Sequence, residues 1–170
     1  DYADNDADVL PKSTKDLSHG THVAAIAAAN AADLQGTAPH AQIIVAKVAA
    51  DKDGSIPDNT VLAALDDAVV IKPDSINLSL GEDAGMGTEA GTMYAEVYKN
   101  LANAGVTVNA AAGNSYSSAY SNYSGKNKPY ASDPDAGTVS EPGSYSSTLA
   151  VASVNNQDAL PYLTVGERQV

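Results

Sequence analysis

The sequence has 170 residues and a formal net charge of −12, from 21 Asp and Glu against 9 Lys and Arg. This acidity disfavours nucleic acids and anionic membranes as partners, and the absence of cysteine excludes disulfides and thiolate chemistry. No apolar run approaches the roughly 20 residues of a membrane span, and the length suits one domain with a sizeable core. The chain opens on Asp1 without an initiator Met or a signal peptide, so we expect a piece of a longer protein.

Short apolar runs alternate with helical stretches along the chain. The first apolar run, residues 41–48, is nearly continuous, which is typical of a buried parallel strand. The sequence predicts helices over 19–30, over 58–71 with Asp58 as N-cap, and from Thr88 to Gly105. It predicts strands over 41–48, 75–81, 106–112 and 149–154. The connections are loops over 1–18, 82–87 and 115–147 and turns over 31–41 and 51–55, and the tail is weakly patterned.

Two of the helices have a predicted apolar face at helical spacing. These faces consist of Val61, Leu65 and Ala68 or Val69 in the first, and of Met93, Val97 and Leu101 in the second. The alternation of strand and helix predicts an α/β domain with a parallel sheet between helices. Because ligands bind at the carboxyl ends of parallel strands, the loops after Leu80 and Ala112 are where we expect a site.

His19 stands at the mouth of an alanine-rich helix, where a general base could be held rigidly. A lone histidine is more often an ordinary surface or core residue, so a catalytic role for His19 depends on the residues around it. Residues 19–25 read His-Gly-Thr-His-Val-Ala-Ala. They resemble the histidine block of the subtilisin-like serine peptidases at six of seven positions, with Ala25 in place of the usual Gly. The resemblance implies the three-layer subtilisin fold, with His19 as the base that takes a proton from a serine.

The resemblance continues around Asn114. The strand that leads into Ala111, Ala112, Gly113 and Asn114 is similar to the family's Ala-Ala-Gly-Asn block. In that block the Asn amide donates a hydrogen bond to the oxyanion of the tetrahedral intermediate. Taken alone, Gly-Asn would be a common turn.

The resemblance also implies two walls of a substrate site. Ser79, Leu80 and Gly81 are similar to the family's Ser-Leu-Gly segment, whose backbone pairs with an extended peptide like an added strand. The opposite wall would be formed by Ala111, Ala112 and Gly113. The segment of the first wall could equally be a buried strand that ends in glycine, and a buried strand can also pair with a substrate.

Metal sites are weaker alternatives. His19 and His22 could share a helix face as zinc ligands, but zinc normally takes three or four ligands and only His40 remains. We therefore expect His22 to be structural and His40 to lie in a surface turn. The run Asp51-Lys52-Asp53-Gly54 begins like a calcium loop without continuing as one. The resemblance implies no required cofactor, and structural calcium has no clear motif here.

Two members of the family's Asp-His-Ser triad are missing. No Asp-Thr/Ser-Gly block precedes His19, and no Gly-Thr-Ser-Met-Ala block follows Asn114. The run over 137–140 precedes a strand and not a helix, and Ser79 lies in the substrate strand. We therefore expect this chain alone to hydrolyse no peptides. The alternative is a non-catalytic homologue that serves as a binding or scaffold module.

The opening Asp1-Tyr2-Ala3-Asp4-Asn5 and the Ser-rich loop after Asn114 are similar to the lactocepin-type cell-envelope proteinases. In that group a protease-associated domain is inserted after this region. The resemblance implies that residues 1–156 are the central part of a peptidase domain and that 157–170 lead towards such an insertion. It also implies a secreted or surface-anchored protein, a polypeptide substrate, and the missing flanking parts of the same domain as partners. Exposed sheet edges would favour self-association.

Overall fold

The computed structural model describes residues 1–11, 18–82, 92–114 and 139–153, together with the backbone of 164–165 and 168–169. Helices and parallel strands alternate, as the sequence predicts. The elements are α1 His19–Ala28, α2 Asp58–Ile71, β1 Ser75–Leu78, α3 Met93–Asn103, β2 Thr107–Ala111, β3 Leu149–Val151, β4 Thr164–Val165 and β5 Arg168–Gln169.

The main sheet has three parallel strands in the order β1-β2-β3. Leu78 at the end of β1 lies beside Ala110, and Ala111 at the end of β2 lies beside Val151. The carboxyl ends of all three strands therefore meet at one edge. The antiparallel pair β4-β5 lies in the tail, where the sequence predicts no strand.

The helix α2 has the predicted extent and the predicted buried face. Val61 and Leu65 are buried, and Ala68 and Val69 pack against the same cluster. The N-cap is Pro57 and not Asp58, which is the first helical residue. The shift by one residue corrects the prediction, and no side chain accepts a capping hydrogen bond there.

The helix α3 begins later than predicted, because the Thr92 side chain is its cap and accepts a hydrogen bond from the Ala95 amide at 3.1 Å. The predicted cap, Thr88, lies outside the described residues. The predicted buried face is also partly wrong, since Met93 is 72% exposed whereas Tyr98 is buried with Leu101.

The hydrophobic core lies between α2, α3 and one face of the sheet. Tyr98 packs against Tyr145 with ring centroids 5.3 Å apart, and Leu101 has no exposed surface. The core cluster consists of Val61, Leu65, Tyr98, Leu101, Val106, Val108 and Tyr145.

Residues 41–48 do not form the predicted buried strand. Ile43, Ile44 and Val45 are 47%, 61% and 52% exposed, and no strand is assigned to this segment. A strand requires a hydrogen-bonded neighbour. Among the described residues the only backbone hydrogen bond along this run after residue 41 is from the Tyr2 amide to the Lys47 carbonyl, at 2.9 Å.

The helix α1 is held by the loop that follows it. Two carbonyls of its last turn and the carbonyl of its C-cap residue accept hydrogen bonds from the amides of Gly36, Thr37 and Ala38 at 2.8 to 3.0 Å. Gly36 lies so close that a Cβ atom there would be 2.5 Å from the Ala28 nitrogen. The helix buries no residue and, within the described ranges, packs against no other helix or strand. Its end at Ala28 is two residues earlier than predicted.

Candidate active site

The two predicted substrate walls lie side by side. Ser79, Leu80 and Gly81 follow β1 directly, and Ala111 and its successors end β2. Because β1 and β2 are neighbours in register, the first wall runs beside the second. The Ser79 hydroxyl at the start of the first wall accepts a hydrogen bond from the side-chain amide of Asn77 at 3.0 Å.

A third segment, which sequence reasoning missed, bridges the two walls. The Ser140 amide donates to the Ala112 carbonyl at 2.9 Å. Glu141 and Glu82 exchange two backbone hydrogen bonds, each of 3.0 Å. Residues 140 and 141 therefore connect the end of the second wall to the residue after the first. The signal available in the sequence is the Pro-Gly pair at 142–143 just before β3.

Two glycines make this close approach possible. A Cβ atom on Gly81 would collide with the Glu141 carbonyl, and one on Gly113 would collide with the Ser140 side chain. Gly113 also has φ of +100°, a conformation that side chains rarely adopt. Both walls thus carry glycine where the bridging segment meets them. Ser140 itself is 4% exposed.

Asn114 follows Gly113 at the open end of the second wall and is exposed. The position after a left-handed glycine is the local reason why the chain turns out of the sheet here.

His19 is the first residue of α1 and is exposed, as is His22 one turn later. No hydrogen bond within the described residues joins the imidazole of His19 to a carboxylate. The structure therefore brings the two walls and Asn114 to one sheet edge, but no contact given for the described residues joins His19 to them.

The carboxylates of Asp1 and Asp4 form ion pairs with Lys47. Lys47 Nζ lies 3.0 Å from Asp1, 2.8 Å from Asp4 and 2.6 Å from Asp51. Burial opposes the charged ammonium, but the hydrogen bonds that it donates to Asp4 and Asp51 outweigh this effect and raise the pKa of Lys47. This four-residue cluster, which we call the Lys47 cluster, ties the chain start to the turn at 51–54.

The carboxylates of Asp6 and Asp8 accept hydrogen bonds from backbone amides of the same loop. Asp6 accepts from the Asp8 amide at 2.8 Å, and Asp8 accepts from the Leu10 amide at 3.0 Å. Such contacts are those of ordinary Asx turns.

The Asp51-Lys52-Asp53-Gly54 run is a turn in the structure. Gly54 has φ of +75°, and Asp53 accepts a hydrogen bond from the Ser55 amide at 3.0 Å. No group of three or more His, Asp or Glu side chains suited to a metal ion occurs in the described part of the chain. No described helix is long and apolar enough to cross a membrane.

Two tyrosines of α3, the half-buried Tyr94 and the buried Tyr98, have raised pKa values. Burial raises the pKa of Tyr94, with a further increase from its hydrogen bond to Asp58 at 3.0 Å. Burial also raises the pKa of Tyr98, and the neighbouring Tyr94, Tyr145 and Glu141 add to the increase. Both phenols are therefore neutral at any physiological pH.

Comparison with known proteins gives the family. The sequence profile of the subtilase family matches residues 1–169. A PI-type proteinase of Lactococcus lactis subsp. cremoris is 36% identical over 167 residues, which are 94% of this chain and 9% of that protein. A thermophilic serine proteinase of Bacillus sp. (strain AK1) is 37% identical over 169 residues, which are 94% of this chain and 33% of that protein.

Among solved structures, sphericase matches with a TM-score of 0.60 and 30% identity, over 83% of this chain and 41% of that chain. The chain thus spans less than half the length of each of these proteins. The histidine block, the paired walls and these matches agree, and the chain belongs to the subtilase family.

Proposed function

We propose that this chain is part of a secreted serine endopeptidase that cleaves polypeptides by Asp-His-Ser chemistry. The observation that carries the proposal is the pair of walls at the carboxyl edge of β1 and β2, with Asn114 at their open end. An extended peptide could pair with Ser79, Leu80 and Gly81 on one side and face Ala111, Ala112 and Gly113 on the other.

In this proposal each polar group has one task. His19 takes the proton of a serine hydroxyl and returns it to the leaving amine, and the Asn114 amide stabilises the oxyanion. The serine and the carboxylate that orients His19 come from parts of the parent protein that this sequence lacks. The 170-residue chain alone is therefore inactive, and its partners are the flanking parts of the same domain.

The wider arrangement follows the resemblance to the cell-envelope proteinases. Residues 1–156 form the central part of the peptidase domain, and 157–170 lead towards an inserted protease-associated domain. The parent protein is secreted or anchored at a Gram-positive cell surface. The support is the sequence match to the lactococcal proteinases, which covers 94% of this chain.

A fluorophosphonate probe tests whether the chain contains a nucleophilic serine. We expect no covalent adduct on the purified 170-residue chain when it is read by intact mass. An adduct would place the nucleophile within these residues and contradict the proposal. The parent protein with both flanking regions should be labelled once. A parent that stays unlabelled and inactive would instead be the non-catalytic binding homologue.

His19→Ala in the active parent tests the role of the histidine. We expect kcat to fall about a million-fold, the scale known for the catalytic histidine of a subtilisin. His40→Ala is the matched control, because His40 lies in a surface turn, and it should retain activity. Turnover that survives in His19→Ala would remove His19 from the mechanism.

A further inference from the structure

The backbone of the first wall has no partners in this chain. The pairing of β1 with β2 ends at Leu78. Within the described part of the chain, no backbone hydrogen bond reaches the amides or carbonyls of Ser79, Leu80 and Gly81. Ser79 and Leu80 are nevertheless half-buried. Because backbone groups away from water are normally paired, this row indicates a place where an extended peptide is added as a strand.

Two glutamates lie where this wall ends. Glu82 follows Gly81 and forms an antiparallel bridge with Glu141, in which the two residues exchange both backbone hydrogen bonds at 3.0 Å. Residues directly opposite each other in such a bridge project their side chains to the same face, with Cβ atoms about 5 Å apart. The two carboxylates, which we call the glutamate pair, are therefore neighbours.

The glutamate pair is unfavourable for the protein on its own. Like charges directly opposite each other in an antiparallel pair are destabilising. Neither the Glu82 nor the Glu141 carboxylate has a hydrogen bond or an ion pair within the described residues. Folded proteins break such local rules mainly at functional sites. A positively charged group that binds between the two carboxylates would replace their repulsion by two attractions.

The pair faces the same side of the walls as α3. After burial and the hydrogen bond to Asp58, the charge of Glu82 further raises the pKa of Tyr94. After burial and the neighbouring tyrosines, Glu141 does the same for Tyr98. Asp58, which accepts a hydrogen bond from the Tyr94 hydroxyl at 3.0 Å, adds a third negative charge on this side.

We propose that the glutamate pair binds a Lys or Arg side chain of the peptide, so that the site prefers substrates with a cationic residue beside Glu82. This inference rests on the proposed function, since it names the class of peptide bound at the same walls. An extended chain advances about 3.3 Å per residue. A peptide paired with the three residues of the first wall therefore reaches Glu82 within about four residues.

A cationic side chain fits the pair better than a metal ion does. Calcium takes six to eight oxygen ligands, and no group of three or more His, Asp or Glu side chains suited to a metal occurs among the described residues. The following segment offers no counter-ion either, because residues 83–91 contain no Lys or Arg. A peptide, in contrast, is already held by its backbone and has only to place one side chain.

Peptide binding to the parent protein carrying His19→Ala tests the inference without any need for turnover. The probes are short fluorescent peptides of neutral residues in which a single Lys is moved along the chain, each with a norleucine counterpart. We expect one Lys position to bind about five- to ten-fold more tightly than norleucine at low ionic strength, from two partly exposed ion pairs. The preference should shrink to less than about two-fold in 1 M salt.

Glutamine variants test which carboxylates are responsible. Glu82→Gln and Glu141→Gln should each lower the preference for Lys at least two-fold, and the double variant should bind the Lys and norleucine peptides equally. Glutamine keeps the shape and the backbone bridge, so the wall stays in place. Glu96→Gln is the matched control, because it removes the same charge from an exposed position on α3, and it should keep the full preference.

Three results would overturn the inference. The parent could bind none of the peptides, it could bind Lys and norleucine equally at every position, or its preference for Lys could survive in the double variant. Calcium that competes with the Lys peptide and is lost in the double variant would make a metal ion the occupant. A failure of the proposed function is a separate result, since it would appear as a parent with His19 intact that binds the Lys peptide and does not cleave it.

Discussion

The molecule has two regions that differ in how they are held together. The sheet body, which comprises residues 58–82, 92–114 and 139–151 with α2, α3 and β1 to β3, contains every buried apolar side chain of the described residues. The histidine arm, residues 18–46 with α1, contains none. The substrate walls and Asn114 belong to the first region, and His19 belongs to the second. The candidate binding surface thus lies in the region with a packed core, whereas the candidate base lies in the region that buries no described residue.

The difference does not come from composition. The arm is rich in alanine and carries Ile26, Ile43 and Ile44, yet these isoleucines are 58%, 47% and 61% exposed. In the body, two helices cover one face of a sheet and exclude water from it. Apolar side chains stabilise a fold only when something covers them, because the gain is roughly proportional to the area removed from water.

The sharpest test of the comparison is a matched pair of truncations. Leu101→Ala in the body should lower the free energy of unfolding by about 3 to 5 kcal/mol, since Leu101 is fully buried and leaves a cavity. Ile26→Ala in the arm should change it by less than about 0.5 kcal/mol. Urea unfolding of the 170-residue chain measures both. Equal effects would mean that the arm is packed in solution.

A second test asks whether the walls act independently of the arm. In the active parent, Asn114→Ala should lower kcat by about 10²- to 10³-fold, a magnitude taken from the oxyanion asparagine of subtilisins. KM should change much less, because the amide acts on the transition state.

Asn103→Ala at the exposed end of α3 is the matched control for this test. A loss confined to KM would instead make Asn114 a residue of ground-state substrate binding.

A third test uses alkaline pH to probe the body alone. The pKa of Tyr98 is raised by burial, so the folded state keeps its proton where the unfolded state loses it, above about pH 10. The stability that this provides is complete below that pH and is lost as the pH rises. In Tyr98→Phe, stability should fall less steeply above pH 10, by up to about 1.4 kcal/mol per pH unit.

The same pair compared between pH 7 and 9 is the control for Tyr98→Phe, and their difference should be constant there. Parallel slopes above pH 10 would show that the phenol reaches water in the folded state.

The smallest effect concerns how the helices begin. α3 has a side-chain cap from Thr92, whereas α1 begins without one. Thr92→Ala should cost about 1 kcal/mol in unfolding free energy, and Thr92→Ser, which keeps the hydroxyl, should cost much less. If both variants lose the same unfolding free energy, the methyl group of Thr92 and not its capping hydroxyl is responsible.

Local patterns predicted most of the fold. The face of Val61 and Leu65, the left-handed Gly105 after α3 and the three strands of the sheet are all present, because each depends on periodicity or turn chemistry within a short window. The predicted α3 face contains Met93, which is exposed, and omits Tyr98, which is buried. Aromatic residues with a polar end give no firm signal in an apolar count.

Non-local contacts could not be predicted. The pattern over 41–48 is that of a covered strand, but a pattern indicates the environment that a segment suits and not whether its neighbour is present in the same chain. The approach of Ser140 to Gly113 joins residues from two distant segments and has no local signature. The site roles of His19 and Asn114 come from the family motifs and stay predictions.

Gly36 allows the loop after α1 to pack against the end of the helix. The loop that returns from α1 is fastened to the last turn of the helix, and it fits there only because residue 36 has no side chain. The ten residues of α1 form a rod about 15 Å long. His19 sits at one end of this rod and the fastening at the other. A methyl group at Gly36 would collide with the backbone of the last turn, so Gly36→Ala would displace the loop at the end of α1 opposite to His19.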